Sequence, residues 1–263
     1  MTQLDQVALT GRLTAALRAR ESARPDRLFT DPHAAVLAGE DGLRLLADFG
    51  DNSTISVRTK WLDDRLTRLR PAQLVIVAAG MDSRAWRLDV LSDALVYELD
   101  RPEVLDLKAS LIDASPVGPR RPVGVDLAGD WAPALLAAGF DPAAPTVWTV
   151  EGLTQYLHAA DVSRLLDGIT ALSADGSHLL IDLVGQSLLD SAAMKPMLDR
   201  FAAMDMTWRF GTDNPEELLG GRGWSCEVSL FGSVGNDYGR WPYPEVPRGT
   251  PGVGQGYLVH ARR

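Results

Sequence analysis

From Gln73 onward, short apolar runs alternate with longer stretches of helical periodicity. Residues 73–79 (QLVIVAA) are apolar at six consecutive positions after the first, as expected of a strand covered on both faces. Residues 95–99 (LVYEL), 122–125 (PVGV), 146–150 (TVWTV) and 177–183 (SHLLIDL) repeat the pattern as four further strands. The spacing predicts helices between them. One opens at Pro102, a favourable first-turn position for proline, one covers 131–138 and ends at Gly139, and one lies near 163–172. Strands alternating with helices imply a mostly parallel central sheet with helices on both faces, an α/β fold of the Rossmann-like kind.

Upstream, residues 8–20 and 42–49 read as short helices joined through Arg24-Pro25-Asp26 and Thr30-Asp31-Pro32. Asn52 or Ser53 caps a longer helix to about Arg70, with Ile55, Trp61, Leu62, Leu66 and Leu69 mostly on one face, and Pro71 stops it. After Val184, residues 187–204 and Pro215–Leu219 look helical. Ser225–Leu230 and Gly256–Ala261 are closing strands, one of them antiparallel. Residues 232–255 read as a long ordered loop rich in Gly, Pro and aromatics. No shift in composition demands a boundary, so the chain is expected to be one domain over 1–263. It divides into a helical cap (1–70), a core (71–185) and a region facing a substrate (186–263).

Charge narrows the function. The 26 Lys and Arg stand against 35 Asp and Glu, a net charge of −9, which disfavours a phosphate-backbone binder and predicts no nucleic-acid partner. A 46% hydrophobic share with 23% charged residues excludes wholesale disorder. Cys226 is the single cysteine, so no internal disulfide forms, and no Cys/His cluster has metal-site spacing. The first residues show no secretory signal, and no apolar run nears the roughly 20 residues of a membrane span. A soluble, cytoplasmic protein without a membrane partner is expected.

In an open parallel sheet, ligands bind beyond the carboxyl ends of the strands. The first strand ends at Gly80 and the second at Asp100, 20 positions on, a spacing suited to a carboxylate gripping ribose hydroxyls. The alternative is a tight strand-to-helix turn with a capping aspartate. With a single glycine there, a pyrophosphate site is less favoured than a nucleoside without phosphates. Asp126 and Leu127, after the third strand, suit an adenine edge and face; alternatively Asp126 caps the helix near Trp131. Glu151 adds a third acid after the fourth strand. Arg58 supplies the opposite sign within or beside the apolar stripe of its helix, either as a bridge to a sheet-edge acid or as a bidentate grip on a ligand carboxylate. A nucleoside bearing both an ammonium and a carboxylate is S-adenosylmethionine.

Taken in order, RTKWLDD (58–64), AAGMDSRAWRL (78–88), VYELDRPEVLDLK (96–108), VDL (125–127) and PTVWTVEGLTQYL (145–157) resemble the leucine carboxyl methyltransferase family. The likeness is to its bacterial branch of S-adenosylmethionine-dependent and polyketide O-methyltransferases. ARPDRLFTDP (23–32) looks like the same branch, and the resemblance covers about residues 12–185. It implies a Rossmann-like methyltransferase fold with S-adenosylmethionine as cofactor. Carried over by position, Arg58 would bind the methionyl carboxylate and Gly80 the backbone side of the cofactor. Asp100 would bind the ribose, Asp126 and Leu127 the adenine, and Glu151 the ammonium region. The family's turn often reads Gly-Ala-Gly, where this chain has Ala78-Ala79-Gly80, which puts the local turn in question. Tyr156 would line the methyl-transfer mouth.

The expected activity is O-methylation of a carboxylate on a small natural product or peptide. A carboxylate acceptor is ionised at neutral pH and needs no general base, whereas a phenol benefits from one. Hydroxyl methylation of a polyketide-type aromatic, or a non-catalytic cofactor-binding role, are the alternatives. His158 is the histidine placed to reach the cleft. His178 reads as a core or edge residue, and His33 and His260 lack a motif. Asp63-Asp64 and Glu216-Glu217 read as solvated helix faces rather than metal ligands. Trp208, Phe210, Trp241 and Tyr243 either wall an acceptor or pack the late loop onto the core.

Overall fold

The computed structural model describes residues 6–50 and 52–263. Three helices come first. α1 (Gln6–Ser22) packs on α2 (Ala34–Phe49), which bends at Gly39, where φ is 55°. The sequence expectation started this second helix at residue 42. Gly42 is instead inside it, at a crossing so close that a Cβ would lie 2.4 Å from the Arg12 carbonyl oxygen. α3 (Ser53–Leu69) begins as expected, with the Asn52 side chain accepting a hydrogen bond from the Thr54 N–H.

The alternation then delivers the sheet. β1 (Gln73–Val77) leads through the short α4 (Arg84–Arg87) to β2 (Leu95–Asp100), α5 (Pro102–Leu111) and β3 (Arg120–Gly124). Next come α6 (Ala132–Ala137), β4 (Val147–Val150), α7 (Ala159–Ala171) and β5 (His178–Val184). The expected 187–204 helix is two helices, α8 (Gln186–Leu189) and α9 (Lys195–Ala203), because Pro196 has no N–H to continue a helix and instead starts a new one. α10 (Pro215–Gly220), β6 (Ser225–Leu230), α11 (Phe231–Asp237) and β7 (Gly256–Arg262) complete the chain. α11 occupies the start of what the sequence suggested was loop.

The seven strands lie in the order β3-β2-β1-β4-β5-β7-β6. All pairings are parallel except those of β7, which runs antiparallel to β5 and β6. Leu74 and Ile76 of β1 pack with residues of α1–α5 and α11 on one face. Val75 and Val77 pack with α6, α7 and α10 on the other. Continuous apolar strands are thus explained by two cores rather than one. Among the described residues, no helix is long and apolar enough to cross a membrane.

Candidate functional site

The chain leaves β1 toward β2 on one side and later returns to β4 on the other, so a crevice opens at the carboxyl end of β1. A cavity of about 1000 Å3 fills that crevice. Gly80, Asp100, Asp126, Leu127, Glu151 and Arg58 all line it, so the structure brings together every cofactor residue expected from sequence.

Past β1 the backbone turns through Ala78 (φ 55°) and Gly80 (φ 42°). Ala78 therefore adopts the left-handed conformation that a glycine would take there, at a cost of about 1–2 kcal/mol. Asp100 fastens the turn: its carboxylate accepts the Gly80 N–H at 2.7 Å and the Arg101 N–H at 2.8 Å. Burial pushes the Asp100 pKa up, against the pull of those two donors. Below it, Lys108 reaches Glu98 at 2.8 Å and the Ala79 carbonyl at 3.4 Å, tying α5 to the same turn. Beside Gly80 the space is open. A Cβ built there comes within 4 Å only of the Ala78 oxygen, so a ligand can approach this backbone closely. Asp126 is exposed and accepts the Ala128 N–H at 2.9 Å. The N-cap position of α6 is Trp131, so Asp126 does not cap that helix.

The strongest feature is ionic. Arg58 donates from Nε to Glu151 and from Nη1 to Asp182, each at 2.9 Å. Its fork thus spans two protein carboxylates, the bridge to a sheet-edge acid that was one of the two sequence alternatives; Nη2 is the remaining nitrogen. Glu151 also accepts Arg84 Nη1 at 2.8 Å. Burial raises the Glu151 pKa, but the guanidiniums of Arg84 and Arg58 outweigh it and hold the group at about 2. Gly152 donates its N–H to Asp182 at 2.7 Å and lies so close under Arg58 that a Cβ would sit 3.1 Å from Nη1.

From Arg84 the network runs on to Asp82 and to Asp63 Oδ1 at 2.7 Å. Asp63 is held by Arg87 as well, through Oδ2 at 2.7 Å and Oδ1 at 3.0 Å. Asp63 is thereby only 6% exposed, contrary to the solvated face expected for Asp63-Asp64. Asp31 joins through Arg18 Nε at 2.9 Å and Ser83 Oγ at 2.7 Å, while Arg18 Nη2 donates to the Met81 carbonyl. Four guanidiniums (Arg18, Arg58, Arg84, Arg87) meet five carboxylates (Asp31, Asp63, Asp82, Glu151, Asp182). One negative charge is left over, which suits a ligand of net positive charge.

Arg84 and Asp182 were not anticipated from the sequence. The available signals were a lone acid inside the apolar β5 run and the arginines of DSRAWR.

The remaining candidates separate. Tyr156 lines the cavity, and burial raises its pKa. His158 is exposed at the N-cap position of α7 and is not among the lining residues, so the structure does not bring it to the cleft. His178 and His260 pair at 3.0 Å between β5 and β7, near the opposite end of the sheet. Trp208, Trp241 and Tyr243 line the cavity, whereas Phe210 packs on the core. Glu216 and Glu217 are exposed, and Glu216 pairs with Arg248. Among the described residues no group of three or more metal-ligating side chains converges.

Comparison with known proteins places this geometry. The model of the leucine carboxyl methyltransferase family matches residues 12–170. The chain belongs to the leucine carboxyl methyltransferase family. A Rhodococcus jostii relative, named provisionally as an S-adenosyl-L-methionine-dependent methyltransferase, is 37% identical, with 93% of this chain and 91% of the relative covered. A Parafrankia relative with the same provisional name is 39% identical over 98% of this chain and 87% of its own. Two solved structures share the fold at a TM-score of 0.62. A provisionally described methyltransferase from Thermobifida fusca is 19% identical, covering 88% of this chain and 92% of its own. A DUF574 protein from Streptomyces avermitilis is 15% identical, covering 97% of both chains. At the level of fold, family and S-adenosylmethionine dependence, the sequence expectations for this family member are borne out.

Proposed function

We propose that this family member is an O-methyltransferase that uses S-adenosylmethionine to methylate a carboxylate of a small natural product or peptide. The cavity residues suit the donor. Asp100 meets ribose hydroxyls at the open Gly80 turn, and Asp126 with Leu127 meets the adenine. Glu151 and Asp182 face the cationic methionyl end, and Arg58 Nη2 serves its carboxylate. When bound, the sulfonium supplies an activated methyl group for in-line displacement.

The choice of a carboxylate acceptor rests on one observation: among the described residues no histidine lines the cavity. Glu151 is held far below neutrality by two guanidiniums, and burial raises the Tyr156 phenol, so neither is poised to take a proton at neutral pH. An acceptor that arrives ionised needs none. The net charge of −9 accords with a partner other than a nucleic acid, and the partner in this reading is a small molecule or peptide met in the cytoplasm.

The test combines calorimetry with methyl transfer. S-adenosylmethionine or S-adenosylhomocysteine should bind where NAD does not, and tight NAD binding with no response to either sulfur nucleoside would remove the donor assignment. A labelled product from a metabolite panel should lose its methyl group in base, as an ester does; a base-stable ether would transfer the reading to hydroxyl methylation.

A further inference from the structure

We propose that Lys108 is a positioning residue for donor binding, whose ammonium holds the turn after β1 and the Asp100 carboxylate together as one receiving surface for the ribose. This inference rests on the methyltransferase reading above and adds to it a residue that never touches the ligand. Of the chain's 26 cationic side chains three are lysines, Lys60, Lys108 and Lys195. Lys60 and Lys195 each pair with an aspartate four residues on and are reached by solvent. Lys108 is 0% exposed and does not line the cavity, so whatever it does for a ligand passes through other groups. Burying an ammonium this deeply is offset only by well-placed partners. Those partners are Glu98 Oε2 at 2.8 Å and the Ala79 carbonyl at 3.4 Å, with the Trp86 ring centroid 5.8 Å from Nζ.

The local sequence brings this about. Side chains two apart on a strand share a face, so Glu98 and Asp100 of β2 lie on the same side of the sheet. Lys108 stands four residues after Val104, which packs in the core on that side. Glu98 is 0% exposed and accepts Arg120 as well, from Nη2 at 2.7 Å and Nε at 3.1 Å, on the oxygen that already takes Lys108. Its other oxygen, Oε1, has no partner among the described residues. One carboxylate against two cations leaves one positive charge in excess, and Asp100 is the next acid on that face. The Asp100 carboxylate accepts the Gly80 and Arg101 N–H groups. Burial pushes its pKa up, while those two donors and the charges of Lys108 and Arg101 pull it down. The other acids lining the cavity are Asp82, Asp126, Glu151 and Asp182; Asp126 is exposed, and the other three pair with arginines. Ala79, one residue before Gly80, is fixed at both backbone groups. Its N–H donates to the Leu99 carbonyl at 3.0 Å, and its carbonyl accepts the Asp82 N–H at 2.8 Å besides Lys108. Lys108 therefore acts on both halves of the contact between Gly80 and Asp100.

The first measurement uses the ligand-free wild-type protein. Lysine labelled with nitrogen-15 at Nζ gives three NMR signals, of which that of Lys108 is the solvent-protected one, and the Gly80 amide proton reports Asp100. In an acid titration the Lys108 signal and the Gly80 amide should share one midpoint. A Lys108 signal that ignores the Gly80 midpoint would overturn the proposal, and needs no variant to fold. In Lys108→Met, which leaves Arg120 on Glu98, the Gly80 midpoint should move to higher pH. Calorimetric affinity for S-adenosylhomocysteine should fall about threefold at pH 8 and about tenfold or more at pH 5.5. Glu151, held at about 2, stays ionised across that range and does not supply the pH dependence. Lys108→Arg, which returns the charge, should bring the midpoint back toward wild type. A loss of affinity that is the same at both pH values would leave Lys108 a structural ion pair and overturn the proposal. So would an unchanged Gly80 midpoint in the folded methionine variant, or an arginine variant that matches it. Failure of the wild-type protein to bind S-adenosylhomocysteine would instead overturn the methyltransferase reading, and the ligand-free titrations would still decide whether Lys108 holds Asp100.

Discussion

Replacing Arg58 by alanine removes the one guanidinium that bridges Glu151 and Asp182. In the wild-type protein, burial raises the Glu151 pKa and the guanidiniums of Arg84 and Arg58 bring it down to about 2, from an ordinary 4.5. That gap is worth about 3 kcal/mol at roughly 1.4 kcal/mol per pH unit, shared between the two arginines. The alanine variant keeps Arg84 on Glu151 but leaves Asp182, 8% exposed, with the Gly152 N–H as its remaining donor. Breaking a buried pair from one side costs about 3–5 kcal/mol. The expected loss is about 3 kcal/mol at pH 7, a fall in Tm on the order of 6–12 °C for a domain of this size.

The pH dependence carries the sign. A carboxylate whose folded pKa is depressed stabilises the protein above its unfolded value and loses that contribution as pH falls through the folded one. The difference between wild type and Arg58→Ala should therefore be full at pH 7 and shrink below about pH 4.5. Urea unfolding at pH 7, 5 and 3.5 measures it. A loss under about 1 kcal/mol at pH 7, or a gap that widens in acid, would refute the assignment of this bridge as a stabilising element. Donor affinity should fall by on the order of 2–3 kcal/mol in the same variant. Arg58→Lys should restore only part, since an ammonium cannot span two carboxylates in a fixed fork. Unchanged donor affinity in a folded Arg58→Ala protein would leave the residue a structural bridge alone.

Three further outcomes are expected. His260 is held at about 4 by burial and by the neighbouring His178, so folding stability should fall as pH drops from about 6.5 to 4; His260→Leu should flatten that limb in urea titrations, and an unchanged slope would count against it. Ala78→Gly should raise stability by up to about 1 kcal/mol, because glycine relieves the left-handed backbone at φ 55°; a net loss would show that the turn is not strained. His158→Ala should keep turnover within about tenfold, roughly 1.4 kcal/mol, across pH 5.5–9. A hundredfold loss, with a pH step at the histidine pKa abolished, would favour a hydroxyl acceptor.

The central strands β1, β4 and β5 were legible because each is buried along nearly its whole length and therefore spells its position in mostly apolar residues; the edge strand β6 has no fully buried residue, yet it falls on the same residues in sequence and structure. Helix boundaries were less legible where glycine interrupts the pattern. α11 contains Gly232 and Gly235, both pressed against Trp241, so what looks like loop composition is a close helix contact. The late segment 187–204 carried helical periodicity through Ser191–Met194, and only Pro196 marked the break.

The site divides along a similar line. Gly80, Asp100, Asp126 and Glu151 were legible because the fold rule puts strand ends at the ligand, and each follows a recognisable strand. The ion network was not. Arg58 and Asp182 are 124 positions apart, and Arg84 and Glu151 are 67 apart, so no local pattern pairs them. Asp63 shows why a bland reading failed there. Its neighbour Asp64 does sit on the outer side with Lys60 and Tyr238, but one step along the helix turns Asp63 inward beneath α4, where two arginines converge.

That inward charge has a consequence for the proposed chemistry. The network carries four guanidiniums and five carboxylates, and Glu151 stays ionised through the whole physiological range. Such a site favours a ligand with net positive charge over an otherwise identical neutral one, and in a partly desolvated cleft the preference is larger than at the surface. S-adenosylmethionine carries the sulfonium charge and its demethylated product does not. In the proposed donor site, these carboxylates should therefore hold the product less tightly, with the proposed adenosine contacts at Asp100, Asp126 and Leu127 common to both. On this argument, Asp182→Asn, which neutralises one carboxylate while keeping a polar side chain beside Arg58, should narrow the affinity difference between donor and product. Calorimetry of both ligands on wild type and variant reads it directly. A difference that stays the same or widens would show that the excess negative charge plays no part in discriminating them.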